Sequence, residues 1–369
     1  MIISNIISSS QTEGYDRPQS AVKIDSVQYL RGLAALMVVL YHAFPQIERM
    51  GYALKGPVFL SAGVDIFFVI SGFVMVYSTS RHPTRGGVAF LRDRILRIVP
   101  LYWALSLAMV GLLVAVPSVA QTSKFDISHA IASFLFVPWL HPVANKYWPM
   151  ITVGWTLNYE MFFYLIFGAA LCIARRRRPL VIGLSCLVLV CIAAVPAVAP
   201  VEGVLGFYTS SIILEFGFGM VLCEAFLRAP NCKSIYAWIM VILGFVGLTI
   251  PNVRDLGPAG FSVGIPALLI VTGFLFIPLD LKGLWKTFAK TVGDASYSIY
   301  LSHYMVMSAF GQVWRKLMPH FPDDATAFAV VSVTVCLSAG ICVFWLVERP
   351  LTRLASSAFG TKPSSVVVA

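Results

Sequence analysis

The chain has few charged residues: Asp, Glu, Lys and Arg together make up 12% of its 369 residues, while 58% are hydrophobic. A soluble globular protein typically has about 25% charged residues, so this scarcity excludes an ordinary soluble domain. The mean hydropathy of +0.82 supports the same conclusion. We therefore interpret the chain as an all-α integral membrane protein.

Acidic residues are also scarce, 17 against 27 Lys and Arg, and the net charge is +10. A positive net charge can indicate nucleic-acid binding. Here, however, roughly three quarters of the Lys and Arg residues lie in every second loop between the apolar runs, as expected for loops on one side of a membrane. This positive-inside pattern predicts that both termini are cytoplasmic. It accounts for the charge without nucleic acid, and it makes anionic lipids expected neighbours.

Several other signals are missing from the sequence. None of the seven cysteines has metal-ligand spacing, so no metal site is expected. The N-terminal 20 residues lack the charged segment and apolar core of a signal peptide. We expect one integral-membrane domain, residues 23–353, between a disordered cytoplasmic tail (1–22) and a C-terminal cytoplasmic tail (354–369).

Apolar runs bounded by charges, proline and glycine predict about ten transmembrane helices. The seventh is the shortest. The predicted spans are residues 27–45, 57–79, 98–117, 151–174, 179–199, 207–227, 236–251, 259–278, 294–314 and 326–347.

The first span, YLRGLAALMVVLYHAF (29–44), carries an arginine and a histidine. At about 1.5 Å of rise per residue, His42 lies roughly 16 Å further along the helix than Arg31. If Arg31 lies at one membrane face, His42 lies near the middle of a hydrocarbon core about 30 Å thick. An ionisable side chain at that depth indicates function, and the alternative is a histidine that hydrogen-bonds between packed helices.

Four further spans place ionisable side chains at roughly 20–24 Å from the same face. The three carboxylates and two histidines of the five spans suit general acid–base chemistry in one water-filled cavity, where a carboxylate would fix the imidazole tautomer. Structural pairing between helices is the alternative for each. The added candidates are Asp65, Glu160, Glu215 and His303, with Trp155 and Tyr159 beside Glu160 as further cavity or acceptor-binding candidates.

The segment FLRDRILRIVP contains Arg92, Arg94 and Arg97 immediately before the third predicted span. Guanidinium groups at a helix start can bind phosphates through two parallel hydrogen bonds. Simple anchoring of the helix at the inner face is the alternative. The four-arginine run at 175–178 is interpreted only as a topology signal.

Six motifs in order resemble the integral-membrane acyltransferase family three, and the resemblance covers residues 27–353. The WTLNYEMFFY form is similar to the exopolysaccharide-associated subgroup, although that motif more often has serines where Thr156 and Asn158 stand here. The six motifs are RGLAALMVVLYH, GVDIFFVISGF, RILRIVPLYW, WTLNYEMFFY, SYSIYLSHY and VERPLTR.

The resemblance implies a membrane O-acyltransferase that moves an acyl group, usually acetyl, from cytoplasmic acyl-CoA to a sugar hydroxyl. It implies donor binding by Arg31, Arg94 and Arg97, with His42 as general base or transient acyl carrier. Glu160 or Asp65 would orient the imidazole. Acetyl-CoA would be a co-substrate with no bound cofactor, and the site would be in the bacterial inner membrane.

The implied acceptor is an exopolysaccharide or its lipid-linked precursor, and polysaccharide assembly proteins are further expected partners. A proton-coupled transporter of polysaccharide or small solutes is the first alternative, because central polar groups also suit a proton relay. No two matching halves are visible in the sequence, which weakens that alternative. A non-enzymatic scaffold is the second.

Overall fold

The computed structural model describes residues 25–51, 54–115, 124–229, 232–317 and 325–360. The predicted tail 1–22 and residues 361–369 of the predicted C-terminal tail lie outside them. The described residues form fifteen α-helices and no β-strand. These are α1 (Asp25–Arg49), α2 (Gly63–Ser80), α3 (Gly87–Ala115), α4 (Ile127–Phe134), α5 (Trp155–Ile173), α6 (Arg178–Val198), α7 (Gly203–Tyr208), α8 (Leu214–Arg228), α9 (Ser234–Thr249), α10 (Ala259–Ser262), α11 (Gly264–Phe276), α12 (Gly283–Asp294), α13 (Ser296–Leu317), α14 (Ala325–Val343) and α15 (Arg349–Ala358).

Seven segments of the described chain are long and apolar enough to cross a membrane. They contain α1, α2, α3, α5, α6, the joined α10 and α11, and the run from α14 to α15. The three other predicted spans correspond to the short α7 and α8, to the 16-residue α9 and to the polar-faced α13. The all-helical membrane class is therefore confirmed, while the count of ten and the side of the termini stay predictions.

Two predicted boundaries differ from the observed helices. Helix α3 begins at Gly87, so the arginine-rich segment is part of the membrane helix instead of preceding it. Residues 354–358, assigned to the tail, continue α15. The first difference arises because arginines at a membrane face can extend a helix beyond its apolar stretch while their charged ends reach water.

Helices α2 and α8 pack with their backbones very close. A Cβ added to Gly72 would lie 2.0 Å from the carbonyl oxygen of Phe216, and one added to Gly219 would lie 1.9 Å from that of Val69. Only glycine fits at these two positions, as expected where small residues let membrane helices approach each other. This contact fixes α8 beside the helix that carries Asp65.

Helix α1 lies at the centre of the molecule, in contact with α2, α11, α12, α13 and α14. Most of its side chains are buried, including Arg31 at 8% exposure. Helices α3 and α5 pack against each other on the other side of α2. Side chains from α1, α2, α3, α5 and α13 consequently face one interior space.

Candidate active site

A cavity of about 90 Å³ lies between these five helices, with room for several water molecules. Its polar lining comes from all five helices, and Phe67, Phe68 and Leu157 contribute part of the apolar wall. The polar side chains at the cavity are Arg31, Ser71, Arg97, Thr156, Glu160, Tyr164, Ser296, Tyr297 and Tyr300.

Glu160 and Arg31 both face this cavity, whereas the sequence placed Glu160 in a central cavity and Arg31 at a membrane face. The Glu160 Oε1 atom accepts hydrogen bonds from Ser71 Oγ at 3.0 Å and from Tyr164 Oη at 2.5 Å. Among the described residues, no carboxylate lies within 4 Å of the Arg31 guanidinium. Because Arg31 is almost fully buried without an ion pair, it is available to an anionic or carbonyl group that enters the cavity.

Arg97 faces the same cavity but is already ion-paired with Glu348. The second oxygen of Glu348 accepts a hydrogen bond from Ser298. Glu348 is 1% exposed and ends a π-helical turn, Phe344–Glu348, between α14 and α15. Such turns are frequent at functional sites. The motif VERPLTR contains Glu348, but no role for this residue was predicted from it. The signal that could have identified it is a carboxylate at the end of the last predicted span.

Arg94 is not among the residues that line the cavity. Its guanidinium donates to Ser78 Oγ at 3.1 Å and lies 5.6 Å from the centre of the Phe90 ring. Arg94 and Arg97 were predicted to bind the donor phosphates together, but the two side chains have different neighbours. Arg97 faces the interior cavity, and Arg94 faces the end of α2.

His42 and His303 form a pair at the contact between α1 and α13. His303 Nε2 lies 3.3 Å from His42 Nδ1, and the ring centroids are 5.0 Å apart. His303 Nδ1 lies 2.6 Å from the carbonyl oxygen of Tyr300, and His42 Nδ1 lies 2.9 Å from that of Val38. Carbonyl oxygens only accept hydrogen bonds, so each Nδ1 carries the proton.

This protonation pattern determines which nitrogen of each histidine donates a hydrogen bond and which accepts one. His303 donates from Nδ1 to the backbone, and its Nε2 lone pair faces the Nδ1–H of His42. The basic lone pair of His42 is therefore on Nε2. Tyr300 connects the pair to the cavity, since it lines the cavity and its ring centroid lies 5.9 Å from that of His303.

Asp65 and Glu215 lie in a separate buried cluster and do not orient His42. Asp65 Oδ2 accepts a hydrogen bond from Arg254 at 2.8 Å, and Oδ1 has no partner among the described residues. Both carboxylates are fully buried. The prediction that one cavity unites all five ionisable groups is therefore corrected. Of the five, only Glu160 lines the cavity, because Asp65 is turned toward Arg254 and the two histidines lie outside the lining.

Trp155 and Tyr159 belong to aromatic packing outside the cavity lining. The Tyr159 hydroxyl donates to the carbonyl oxygen of Phe207, and its ring stacks on Phe207 with centroids 4.3 Å apart. Trp155 meets Phe68 edge to face. No group of three or more His, Cys, Asp or Glu side chains positioned for a metal ion occurs in the part of the chain that the structure describes.

The family model described as an acyltransferase domain matches residues 24–345. The chain belongs to acyltransferase family three. The exopolysaccharide production protein ExoZ of Rhizobium meliloti (strain 1021) is 38% identical over 299 residues, which cover 79% of this chain and 90% of ExoZ. No solved structure matches the chain.

Two further relatives of this chain have names that refer to acyl transfer. The acyltransferase MdmB of Streptomyces mycarofaciens is 25% identical over 91% of the chain and 94% of MdmB. The peptidoglycan O-acetyltransferase OatA of Listeria monocytogenes serovar 1/2a is 27% identical over 89% of the chain but only 56% of OatA. The resemblance predicted from the motifs is thus confirmed at the level of the family.

Proposed function

We propose that this acyltransferase moves an acetyl group from acetyl-CoA to a sugar hydroxyl of an exopolysaccharide or of its lipid-linked precursor. The family supplies the reaction class, and the names of ExoZ and OatA supply the polysaccharide and the acetyl group. The observation that carries the proposal is the oriented histidine pair beside a cavity containing an unpaired buried arginine.

In the proposed reaction, His42 Nε2 removes the proton from the acceptor hydroxyl. The hydroxyl oxygen forms a bond to the thioester carbonyl carbon, and the carbon–sulfur bond breaks. The leaving sulfur then takes the proton from the His42 imidazolium, which returns the histidine to its neutral form. The His42 Nδ1–H, shared between the Val38 carbonyl oxygen and His303 Nε2, keeps Nε2 as the basic nitrogen throughout.

The cavity arginines are proposed to bind the donor. Arg31 and Arg97 both face the space that the acyl-bearing arm of the donor would enter. Tyr300 also lines this space, and its ring contacts His303. Arg31 is the free cation of the two, and Arg97 is held in one direction by Glu348. Glu160 would hold water or an acceptor hydroxyl through the Ser71 and Tyr164 network. The donor would enter from the cytoplasm.

The test uses membranes that contain the protein at matched abundance, labelled acetyl-CoA and lipid-linked glycan. We expect His42→Ala to abolish transfer of label to the glycan. We expect His303→Ala to lower kcat roughly 100-fold with a near-constant donor KM, because general-base catalysis contributes about 10²–10⁴-fold. Ser302→Ala, on the same turn of α13, is the matched control and should retain wild-type transfer.

Equal transfer by wild type and His42→Ala would contradict the role of the histidine pair and leave it as packing. Absence of transfer by the wild-type protein, together with proton-coupled solute uptake into vesicles, would replace the proposal with the transporter alternative.

A further inference from the structure

A second cavity, of about 150 Å³, lies at the ends of α2 and α5 nearest the 81–86 loop. Its described lining contains four basic side chains and no acidic one. On α2, the lining of the first cavity ends at Ser71 and that of the second begins at Val76. On α5, the corresponding residues are Tyr164 and Phe167. At 1.5 Å per residue the two are about 5–8 Å apart along the same pair of helices.

The basic side chains of this second cavity are His82, Arg85, Arg176 and Arg178. Arg85 is paired with Asp93 and Arg178 with Glu224, and both carboxylates are outside the lining. These pairs hold two guanidinium groups in place while leaving their side chains about 40% exposed. Two fixed guanidinium groups in a concave site suit an anion with several oxygens.

Arg176 differs from the neighbouring arginines in its backbone and its pairing. Its φ of 72° is in the left-handed region, which costs a non-glycine residue of order 1 kcal/mol. No carboxylate lies within 4 Å of its guanidinium in the described ranges. The turn thus directs an unpaired cation into the cavity.

The turn that carries Arg176 is also tied to the opposite wall. Arg175 donates a hydrogen bond to the carbonyl oxygen of Thr84, which links the α5–α6 turn to the α2–α3 loop. Helix α6 begins at Arg178, which lines the same cavity. The positive end of the α6 dipole therefore lies on the side of the cavity where an anion would bind.

We infer that this second cavity is a binding site for a phosphate group, formed by the Arg176 guanidinium between the two paired arginines. The phosphate can belong to a soluble nucleotide or to an anionic lipid headgroup, which share this chemistry. Arginines that serve only to orient the chain in the membrane would need neither a concave site nor a fixed direction. Binding at this site does not depend on the proposed acyl transfer.

The decisive variants are Arg176→Gly and Arg177→Gly. Glycine adopts a positive φ without strain, so Arg176→Gly removes the guanidinium and should leave the turn intact. Arg177 belongs to the same run, carries the same charge and does not line the cavity, which makes it the matched control. Arg176→Lys keeps the charge but loses the planar fork.

Binding is measured for the full chain in nanodiscs by titration with adenosine 3′,5′-bisphosphate and, separately, by retention of phosphatidylglycerol after exchange into phosphatidylcholine. We expect at least one phosphate probe to bind wild type, roughly tenfold weaker binding by Arg176→Gly, and less than twofold change for Arg177→Gly. Binding of the bisphosphate alone identifies a soluble ligand, and retention of the lipid alone identifies a headgroup. Equal loss in both glycine variants, or no binding of either probe by wild type, would overturn the site.

Discussion

A single carboxylate, Glu348, fixes the direction of one of the two cavity arginines. Arg97 pairs with one oxygen of Glu348, and Ser298 donates to the other. Because Glu348 is almost fully buried, loss of either partner leaves a charge without compensation, which commonly costs about 3–5 kcal/mol at a buried pair. The side chain of Arg97 is 17% exposed, so the expected cost is at the lower end of that range.

Replacement of Glu348 by Gln should therefore lower thermal stability and raise the donor KM, since Arg97 loses its fixed direction. The double variant Arg97→Gln/Glu348→Gln should recover much of the lost stability without recovering donor affinity. The measurements are the melting temperature in detergent and the donor dependence of transfer. A Glu348→Gln protein with normal KM and melting temperature would contradict this role.

The short segment around α4 depends on a histidine that must stay neutral. His141 Nδ1 accepts hydrogen bonds from the backbone N–H groups of Val143 and Ala144, at 3.2 and 3.1 Å. Burial and the neighbouring His129 lower the pKa of His141 to about 4, from an ordinary value of 6.5. Protonation of Nδ1 would remove both acceptor interactions.

The folded pKa of His141 is below the unfolded value, so the unfolded segment binds more protons between pH 6.5 and about 4. The contribution of this histidine to stability is therefore complete above pH 6.5 and decreases as the pH falls toward 4. We expect amide exchange of residues 141–148 to accelerate at pH 5 relative to pH 7.5. His141→Asn, which keeps an acceptor oxygen but does not titrate, should show a smaller acceleration. An unchanged pH response in that variant would exclude His141 as its cause.

At the scale of the whole molecule, the number of membrane crossings determines which loops share a side. Ten crossings with cytoplasmic termini place the 81–86 loop and Cys232 inside, and residue 145 outside. We expect an impermeant maleimide applied to intact cells to label Asn145→Cys, in a chain with its native cysteines replaced. A retained Cys232 or His82→Cys should react only after lysis. Labelling of Cys232 in intact cells would reduce the count of crossings between α6 and α9.

The sequence predicted the all-helical membrane class and the family, and both are confirmed. Those predictions succeeded because membrane insertion is determined by the lengths of apolar runs, and the family motifs are short contiguous segments. The meeting of Arg31 and Arg97 with Glu160 at one cavity was not predicted, since the sequence placed the two arginines nearer the membrane face. The close approach of α2 and α8 was not predicted, since it depends on which glycine faces which backbone carbonyl.

By itself, the sequence determined how far each ionisable side chain lies along its own helix. It did not determine which helices are neighbours or how each is rotated about its axis. The arrangement and rotation of the helices place His42 beside His303, where a carboxylate had been predicted. They also place Asp65 beside the loop residue Arg254. Only the tertiary structure decided these partners, because contacts between helices distant in the chain depend on packing around the whole bundle.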